Sequence, residues 1–492
     1  MAATIKWSIV STTRGSEAER RQRLLAGATA TLRSLSETLS GLGGRFSERG
    51  HRLYLVGGSV RDAVLGRLGT DLDFTTDARP DQVQEILSGW AEAQWDTGIA
   101  FGTISAVRAG WQIEVTTFRA DKYDRVSRNP AVTYGESLED DLVRRDFTVN
   151  AMAVRVDGDG TLEFVDPLGG IDQLLAGVLD TPARPEDSFD DDPLRMLRAA
   201  RFVAQLGFTP TPRVIEAMTA MAGQLERITV ERIRAELDKL MLGEHAVEGV
   251  DLLCRTGLAE YVIPEVPAMQ LEIDEHHQHK DVYRHSLTVL QQAMDLEDGD
   301  PDLVLRLAAL FHDIGKPTTK RNEPGGAVSF HHHEVVGAKM TRKRMRALKY
   351  SKKLIEDVST LVFLHLRFHG YGSGEWTDSA VRRYVNDAGV LLPRLHKLVR
   401  ADCTTRNKRR AARLQATYDD LELRIAAIAE AEDLARVRPD LDGNAIMELL
   451  GIGPGREVGA AWRFLKELRL ERGPLPRDEA ERELLDWWAR RT

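Results

Sequence analysis

The stretch that most constrains this chain is Leu53 to Thr76, LYLVGGSVRDAVLGRLGTDLDFTT. Leu53 to Val56 read as a short buried strand that Gly57-Gly58 breaks, with Ser59 as N-cap of a helix closed by Gly66 and Gly69. A second strand then carries Asp71 and Asp73 on either side of Leu72. Side chains alternate across a strand, so the two carboxylates share a face. Like charges held this close are costly unless a cation sits between them. Mg²⁺ suits them, because it takes one or two carboxylates together with phosphate oxygens. Gly57 and Gly58 just upstream let backbone approach a triphosphate at a helix N-terminus. The stretch reads as a metal–nucleotide site.

With 492 residues the chain has room for roughly three domains. A charged fraction of 29% beside 42% hydrophobic residues is ordinary soluble globular composition. Two well-separated cysteines, Cys254 and Cys403, exclude a disulfide framework and suit a reducing interior. The N-terminus has no apolar signal core, and no stretch approaches the length of a membrane span. A cytoplasmic protein is expected. The net charge of -9 argues against bulk nonspecific nucleic-acid binding but leaves local basic patches open.

Taken in order, residues 1–50 are a polar start followed by a helical stretch. Beyond the central motif, residues 98–119 read as two strands around a turn at Ala109-Gly110. The second strand alternates Trp111, Ile113 and Val115 with Gln112, Glu114 and Thr116. Glu114 then faces away from the core, either as a third carboxylate beside Asp71 and Asp73 or as a solvated strand residue. Residues 120–139 form a long polar loop of the kind that tends to carry function. Arg144 and Arg145 follow, fixed-charge donors that suit triphosphate oxygens or a solvated face. In DDDPLRMLRAARF, Asp190 to Asp192 favour a helix N-terminus with Pro193 in its first turn. Arg195, Arg198 and Arg201 recur every third residue of that helix. Asp192 with Arg195 one turn on presents acceptor and donor edges together, as reading a base edge requires. An i, i+3 salt bridge is the plainer alternative.

These blocks together resemble class II (bacterial-type) tRNA nucleotidyltransferases, the CCA-adding enzymes, and the related bacterial poly(A) polymerases. The resemblance is carried by LVGGSVRD (55–62), DLDF (71–74), RRDFTVNAMA (144–153), DPLGG (166–170), DDPLRMLRAARF (191–202) and ERIRAELDKL (231–240), over about residues 50 to 260. It implies an α+β head with a five-stranded nucleotidyltransferase-type sheet, followed by an all-α neck, body and tail. By it, Asp71 and Asp73 bind the catalytic Mg²⁺, and Gly57, Gly58 and Arg61 lie at the triphosphate. Arg144, Arg145 and Asn150 border sugar and phosphates, Asp192 and Arg195 pair with the incoming base, and Arg198 and Arg201 lie nearby. Loop 120–139 corresponds to the family's flexible loop, linked to switching from C to A addition. Where the family usually has Glu-Asp, this chain has Asp191-Asp192.

A second constellation lies between residues 276 and 402. His285, the His312-Asp313 pair of FHDIGKP, and Asp402 follow the order of the HD superfamily of metal-dependent phosphohydrolases, which they resemble. Imidazole and carboxylate donors suit a transition metal or a mixed Mg²⁺/Mn²⁺ site. His333 and His365 could hold a second ion, whereas His277, His331 and His332 read as ordinary core or surface histidines. The resemblance implies hydrolysis of phosphoester ends such as 2′,3′-cyclic phosphates. Basic runs at 342–353 and 404–413 suit either RNA phosphates or solvated helix faces. The tail carries helix–turn–helix spacing around LGIGPG, a turn that suits a backbone phosphate or plain packing.

The expected organisation is an N-terminal helical segment (1–50), a nucleotidyltransferase head (51–180), a helical neck binding base and RNA (181–265), an HD domain (266–405) and a helical tail contacting tRNA (406–492). The expected function is template-independent addition of C, C and A to the tRNA 3′ end from CTP and ATP, with pyrophosphate released. The rivals are a poly(A) polymerase, a C-only or A-only adding enzyme, an HD phosphohydrolase whose head only binds RNA, and a non-catalytic RNA-binding protein. Oligomeric state is not legible.

Overall fold

The computed structural model describes residues 5–7, 15–99, 102–119, 134–135, 137–270, 281–324, 328–368, 371, 376–404, 408–432 and 438–491. The chain divides into two compact units, Met1–Tyr261 and Val262–Thr492. Most of the loop expected at 120–139 lies outside the described residues, as does His277.

The first unit runs β1 (Ile5–Trp7), α1 (Gly15–Ser34), α2 (Ser36–Glu48), β2 (Leu53–Val56), α3 (Gly58–Val64), β3 (Asp71–Thr76), α4 (Pro80–Leu87), β4 (Ala93–Trp95), β5 (Thr103–Arg108) and β6 (Trp111–Thr117). It continues through α5 (Leu138–Val143), β7 (Ala153–Val156), β8 (Leu162–Val165), α6 (Gly170–Ala176), β9 (Val178–Leu179), α7 (Pro185–Asp191), α8 (Leu194–Leu206), β10 (Thr209–Pro210), α9 (Pro212–Met221), α10 (Val230–Met241), α11 (Ala246–Arg255) and α12 (Ala259–Val262). An α+β head followed by helices is what the resemblance implied. The sheet is wider than five strands: eight are ordered β1-β8-β7-β2-β3-β6-β5-β4. One added edge strand, β1, comes from the polar start and pairs parallel with β8.

β3 and β6 run parallel, with Leu72 opposite Ile113 and Asp73 opposite Glu114. Residues in register share a face. Leu72, Phe74, Ile113 and Val115 are fully buried on one face, which puts Asp71, Asp73 and Glu114 on the other. The expected turn is present, with Ala109 and Gly110 both at positive φ between β5 and β6, the geometry of a two-residue hairpin loop.

Two local expectations are corrected. Ser59 does not cap α3; the cap position is Gly57, at φ +68°. Ser59 Oγ instead donates to the Asp71 carbonyl at 3.2 Å and accepts from the Asp73 amide at 2.9 Å. The start of β3 offers it two unpaired backbone groups, which outcompete a local cap. Likewise, Asp190 and Asp191 end α7, and Pro193 stands at the N-cap of α8 rather than within its first turn. Asp192, between the helices in extended conformation, accepts from the Leu194 amide.

The second unit is mainly helical: α13 (Val282–Asp295), α14 (Leu303–Phe311), α15 (Lys316–Thr319), a two-stranded ribbon β11 (Arg321–Asn322) and β12 (Val328–Ser329), α16 (His333–Ala347), α17 (Lys352–Leu364), α18 (Asp378–Ala388), α19 (Leu392–Ala401), α20 (Lys408–Glu432), α21 (Gly443–Leu450), α22 (Arg456–Arg472) and α23 (Arg477–Ala489). The last three helices share a core of Leu441, Ile446, Ala461, Leu465, Ala480 and Leu484. The turn between α21 and α22 matches the helix–turn–helix reading. No described helix is long and apolar enough to cross a membrane.

Candidate active site and metal centre

In the first unit the carboxylate row sits beside a cavity of about 340 Å³ whose lining includes Asp73, Arg144, Arg145, Asp192, Arg195 and Arg198. Burial pushes the Asp73 carboxyl above its ordinary range, and Asp71 adds to the shift while Arg145 opposes it. Glu114 is raised too, by burial and then by Asp73 and Asp71. Three oxygen-donor groups that repel one another on one face are the donor set that a hard divalent cation relieves. Asp71, Asp73 and Glu114 offer on one face the oxygen donors that Mg²⁺ takes, although their oxygens do not gather as closely as the histidine–aspartate groups of the second unit.

The arginines are held in place by buried acids. Asp141 is buried and takes Arg145 Nη2 at 3.0 Å and Arg144 Nε at 3.3 Å. Burial alone would raise Asp141, but the two guanidinium groups outweigh it and hold the carboxyl low. Gly57 is needed at the end of β2 because its φ is positive; a Cβ there would also lie 2.9 Å from Arg145 Nη1, a side-chain end that can shift. Arg61 is buried, donates from Nη1 to Asn150 Oδ1 at 2.6 Å, and lies 5.0 Å from the Phe202 ring centroid. Asn150 in turn donates to Asp146 at 2.9 Å, and Arg198 reaches the same carboxylate at 2.8 and 2.6 Å. Burial would raise Asp146; Arg198 and Asn150 outweigh it and hold it far below the usual range. Asn150 thus acts through Arg61 and Asp146, and is not a cavity-lining group.

Also lining the cavity, Asp192 pairs with Arg232 at 2.7 Å, not with Arg195. Arg195 donates to Ser188 Oγ and to the Arg144 carbonyl, each at 2.8 Å. The i, i+3 salt bridge is therefore not what forms. Arg201 is buried against Glu236 at 2.6 Å and does not line the cavity. Its third-residue spacing sweeps it round the helix into the packing of α8 on α10.

In the second unit α13, the end of α14, α16, the end of α17 and the end of α19 converge. His285 Nε2 lies 2.9 Å from Asp402 Oδ1 and 3.6 Å from Asp313 Oδ2, and His312 Nε2 lies 3.2 Å from Asp313 Oδ2. The other Asp313 oxygen faces His333 Nε2 at 3.3 Å and His365 Nε2 at 3.8 Å. Nδ1 of His312, His333 and His365 each meets a backbone carbonyl, of Ala309, Phe330 and Val362, and His285 Nδ1 meets Thr404 Oγ1. Every Nε2 is thereby turned inward. Asp313 Oδ1, His333 Nε2 and His365 Nε2 are buried without a hydrogen-bond partner. Orphaned inward donors backed by oriented outer partners are the signature of a metal centre. Two overlapping triads can hold ions, His285-His312-Asp313 and Asp313-His333-His365. Burial, with His312 adding to it, drives His365 down to about 3, so its Nε2 lone pair is free to ligate. Gly315 lets α15 meet α16 here, since a Cβ would collide with the His333 carbonyl. His331 and His332 are exposed.

Comparison with known proteins bears on both centres. Residues 53–180 match the poly A polymerase head domain, 207–269 the probable RNA and SrmB-binding site of polymerase A, and 282–434 the HD domain. An A-adding tRNA nucleotidyltransferase of Deinococcus radiodurans is 34% identical over 444 residues, covering 89% of this chain and 96% of the relative. The chain belongs to the tRNA nucleotidyltransferase family. A second tRNA nucleotidyltransferase, a CCA-adding enzyme of Anoxybacillus flavithermus, is 31% identical over 89% of this chain and 93% of its own. Among solved structures, the Bacillus stearothermophilus CCA-adding enzyme in complex with CTP aligns with TM-score 0.66 and 25% identity, covering 93% of this chain and 98% of that one. The Thermotoga maritima CCA-adding enzyme complexed with tRNA, at 18% identity and TM-score 0.58, covers 92% and 95% and shares the fold. The side chains that hold the cavity arginines and Asp192 in place, and that the sequence did not single out, are Asp141, Asp146, Ser188 and Arg232. Asp146 stands inside the quoted RRDF block and Arg232 inside ERIRAELDKL, so both were within reach.

Proposed function

We propose that the chain adds C, C and A in turn to the 3′ end of tRNA from CTP and ATP, without a nucleic-acid template, releasing pyrophosphate. The observation that carries this reading is that Asp73, which shares a sheet face with Asp71 and Glu114, lines one cavity with Arg144, Arg145, Asp192 and Arg195. Bound Mg²⁺ ions would stabilise the attacking and leaving oxygens of an in-line displacement. In that step the tRNA 3′-oxygen bonds the α-phosphorus and the α–β bridging bond breaks. Glu114 would complete the carboxylate row that holds the ion, and the hydroxyl proton passes to water. Arg144 and Arg145 offset phosphate charge, and Gly57 and Gly58 leave backbone room for it.

Asp192 would select the base. Cytosine N4 and adenine N6 both present an amino donor to a carboxylate, whereas uracil O4 and guanine O6 present acceptors that it repels. Arg195 supplies the complementary donor. Exposed cations of residues 342–353 and the turn before α22 are assigned to tRNA phosphates. The second unit is read as an HD phosphohydrolase acting on phosphoester ends such as 2′,3′-cyclic phosphates. His285, His312, Asp313 and Asp402 would hold one transition-metal, Mg²⁺ or Mn²⁺ ion, and His333 and His365 would join Asp313 around a second. Cys254 and Cys403, which form no disulfide, suit a reducing cytoplasmic setting.

An A-only adding enzyme is the second reading, favoured by the Deinococcus radiodurans relative. Incorporation on tRNA lacking its 3′ end, and on tRNA ending in CC, with CTP alone, ATP alone and both, tests the proposal. Two C additions, one A and a stop support it. A single A added only to the CC-ended tRNA replaces it with the A-adding reading, and open-ended A addition with a poly(A) polymerase.

A further inference from the structure

We infer that Arg232 is a positioning residue for base selection: it latches the Asp192 carboxylate open so that it reads the incoming base instead of closing on Arg195. This deepens the reading above and rests on it. Asp192 and Arg195 stand three residues apart, a spacing at which an acid and a base on a helix end pair readily. Such a pair would turn the acceptor and donor edges onto each other instead of toward a nucleobase. The structure keeps them apart by giving each another partner. Asp192 Oδ1 takes the Leu194 amide at 3.2 Å and Oδ2 takes Arg232 Nη2 at 2.7 Å. Arg195 is tied to Ser188 and the Arg144 carbonyl. Arg232, Asp192 and Arg195 all line the same cavity.

The latch contributes little to folding. Its side chains are 50% and 26% exposed, and exposed ion pairs contribute little to stability. It also leaves the base a place to bind. A carboxylate oxygen has two lone pairs, so Oδ2 accepts from Arg232 and from an exocyclic amine together. Arg232 arrives from α10, forty positions along the chain from Asp192. Orientation of the carboxylate is therefore set before the nucleotide arrives.

The test is steady-state incorporation by the full chain on tRNA lacking its 3′ end, comparing wild type, R232A and R232K. With R232A, KM for the incoming nucleotide should rise about tenfold, the worth of one charge-assisted hydrogen bond, while kcat falls far less. Incorporation of UTP relative to CTP should rise in the same variant. R232K keeps a cation but loses the fork, and should recover part of the KM. A merely structural Arg232 would instead lower kcat with KM and base preference unmoved, and that result overturns the inference. Circular dichroism melting of the variants separates misfolding from lost positioning, because an R232A that melts as wild type yet keeps wild-type KM also overturns it. A wild-type chain that incorporates nothing would overturn the function itself, and this inference with it.

Discussion

Replacing Asp146 with Asn preserves shape and removes one charge, and the surroundings say what that costs. The carboxylate accepts Arg198 Nε at 2.8 Å and Nη2 at 2.6 Å, Asn150 Nδ2 at 2.9 Å and the Phe147 amide at 2.9 Å. An amide keeps one acceptor oxygen and turns its NH2 toward donors, so at least one of these bonds becomes a clash of like partners. Breaking a buried ion pair costs about 3–5 kcal/mol. The Arg198 side chain is 35% exposed, so water recovers part of the loss and about 3 kcal/mol is the reasoned figure. For a unit of this size that is a fall of roughly 6–12 °C in its melting temperature. The pH dependence has a definite sign. Asp146 is held below its unfolded value, so its contribution is present above about pH 4 and is lost as pH falls further. The gap between wild type and D146N should therefore narrow below about pH 4. Calorimetry of both proteins from pH 7 downward checks this. A loss under about 1 kcal/mol at pH 7, or a gap that stays constant into acid, would refute the reasoning.

Three further outcomes are expected. S59A removes the clasp on the start of β3 and should cost about 1–2 kcal/mol, with kcat falling and nucleotide KM nearly unchanged; urea unfolding alongside kinetics shows whether it does. D73N should lose roughly 10³-fold in incorporation and E114Q less, with tRNA retention on filters unchanged; equal losses would put Glu114 on a par with the Asp pair. The second unit should retain about two divalent ions per chain after dialysis and H365A about one, by elemental analysis; a single ion in both would leave only the His285-His312-Asp313-Asp402 set.

Much of the head was legible because strand periodicity is local. Asp71 and Asp73 flank one residue, and Glu114 alternates with Ile113 and Val115, so each face could be read without knowing which strands pair. The HD centre was legible by order of ligands, although the inward turning of four imidazoles was not. That depends on carbonyls three residues back and on Thr404, 119 positions from His285. Ser59 was misread because a serine after Gly-Gly satisfies local capping rules, and only the approach of β3 supplies better partners. Arg201 was misread because spacing of three on a helix drifts round its surface.

Sequence alone determined which residue types share a face and where chain reversals fall, since backbone periods of 2 and 3.6 act within a few residues. Tertiary structure decided the partners. Asp146 to Arg198, Asp192 to Arg232 and Arg61 to Asn150 join positions 52, 40 and 89 apart. A charge buried by distant packing takes whichever counter-charge the fold delivers, and the local spacing that suggested Asp192 with Arg195 could not show that Arg232 would reach it first.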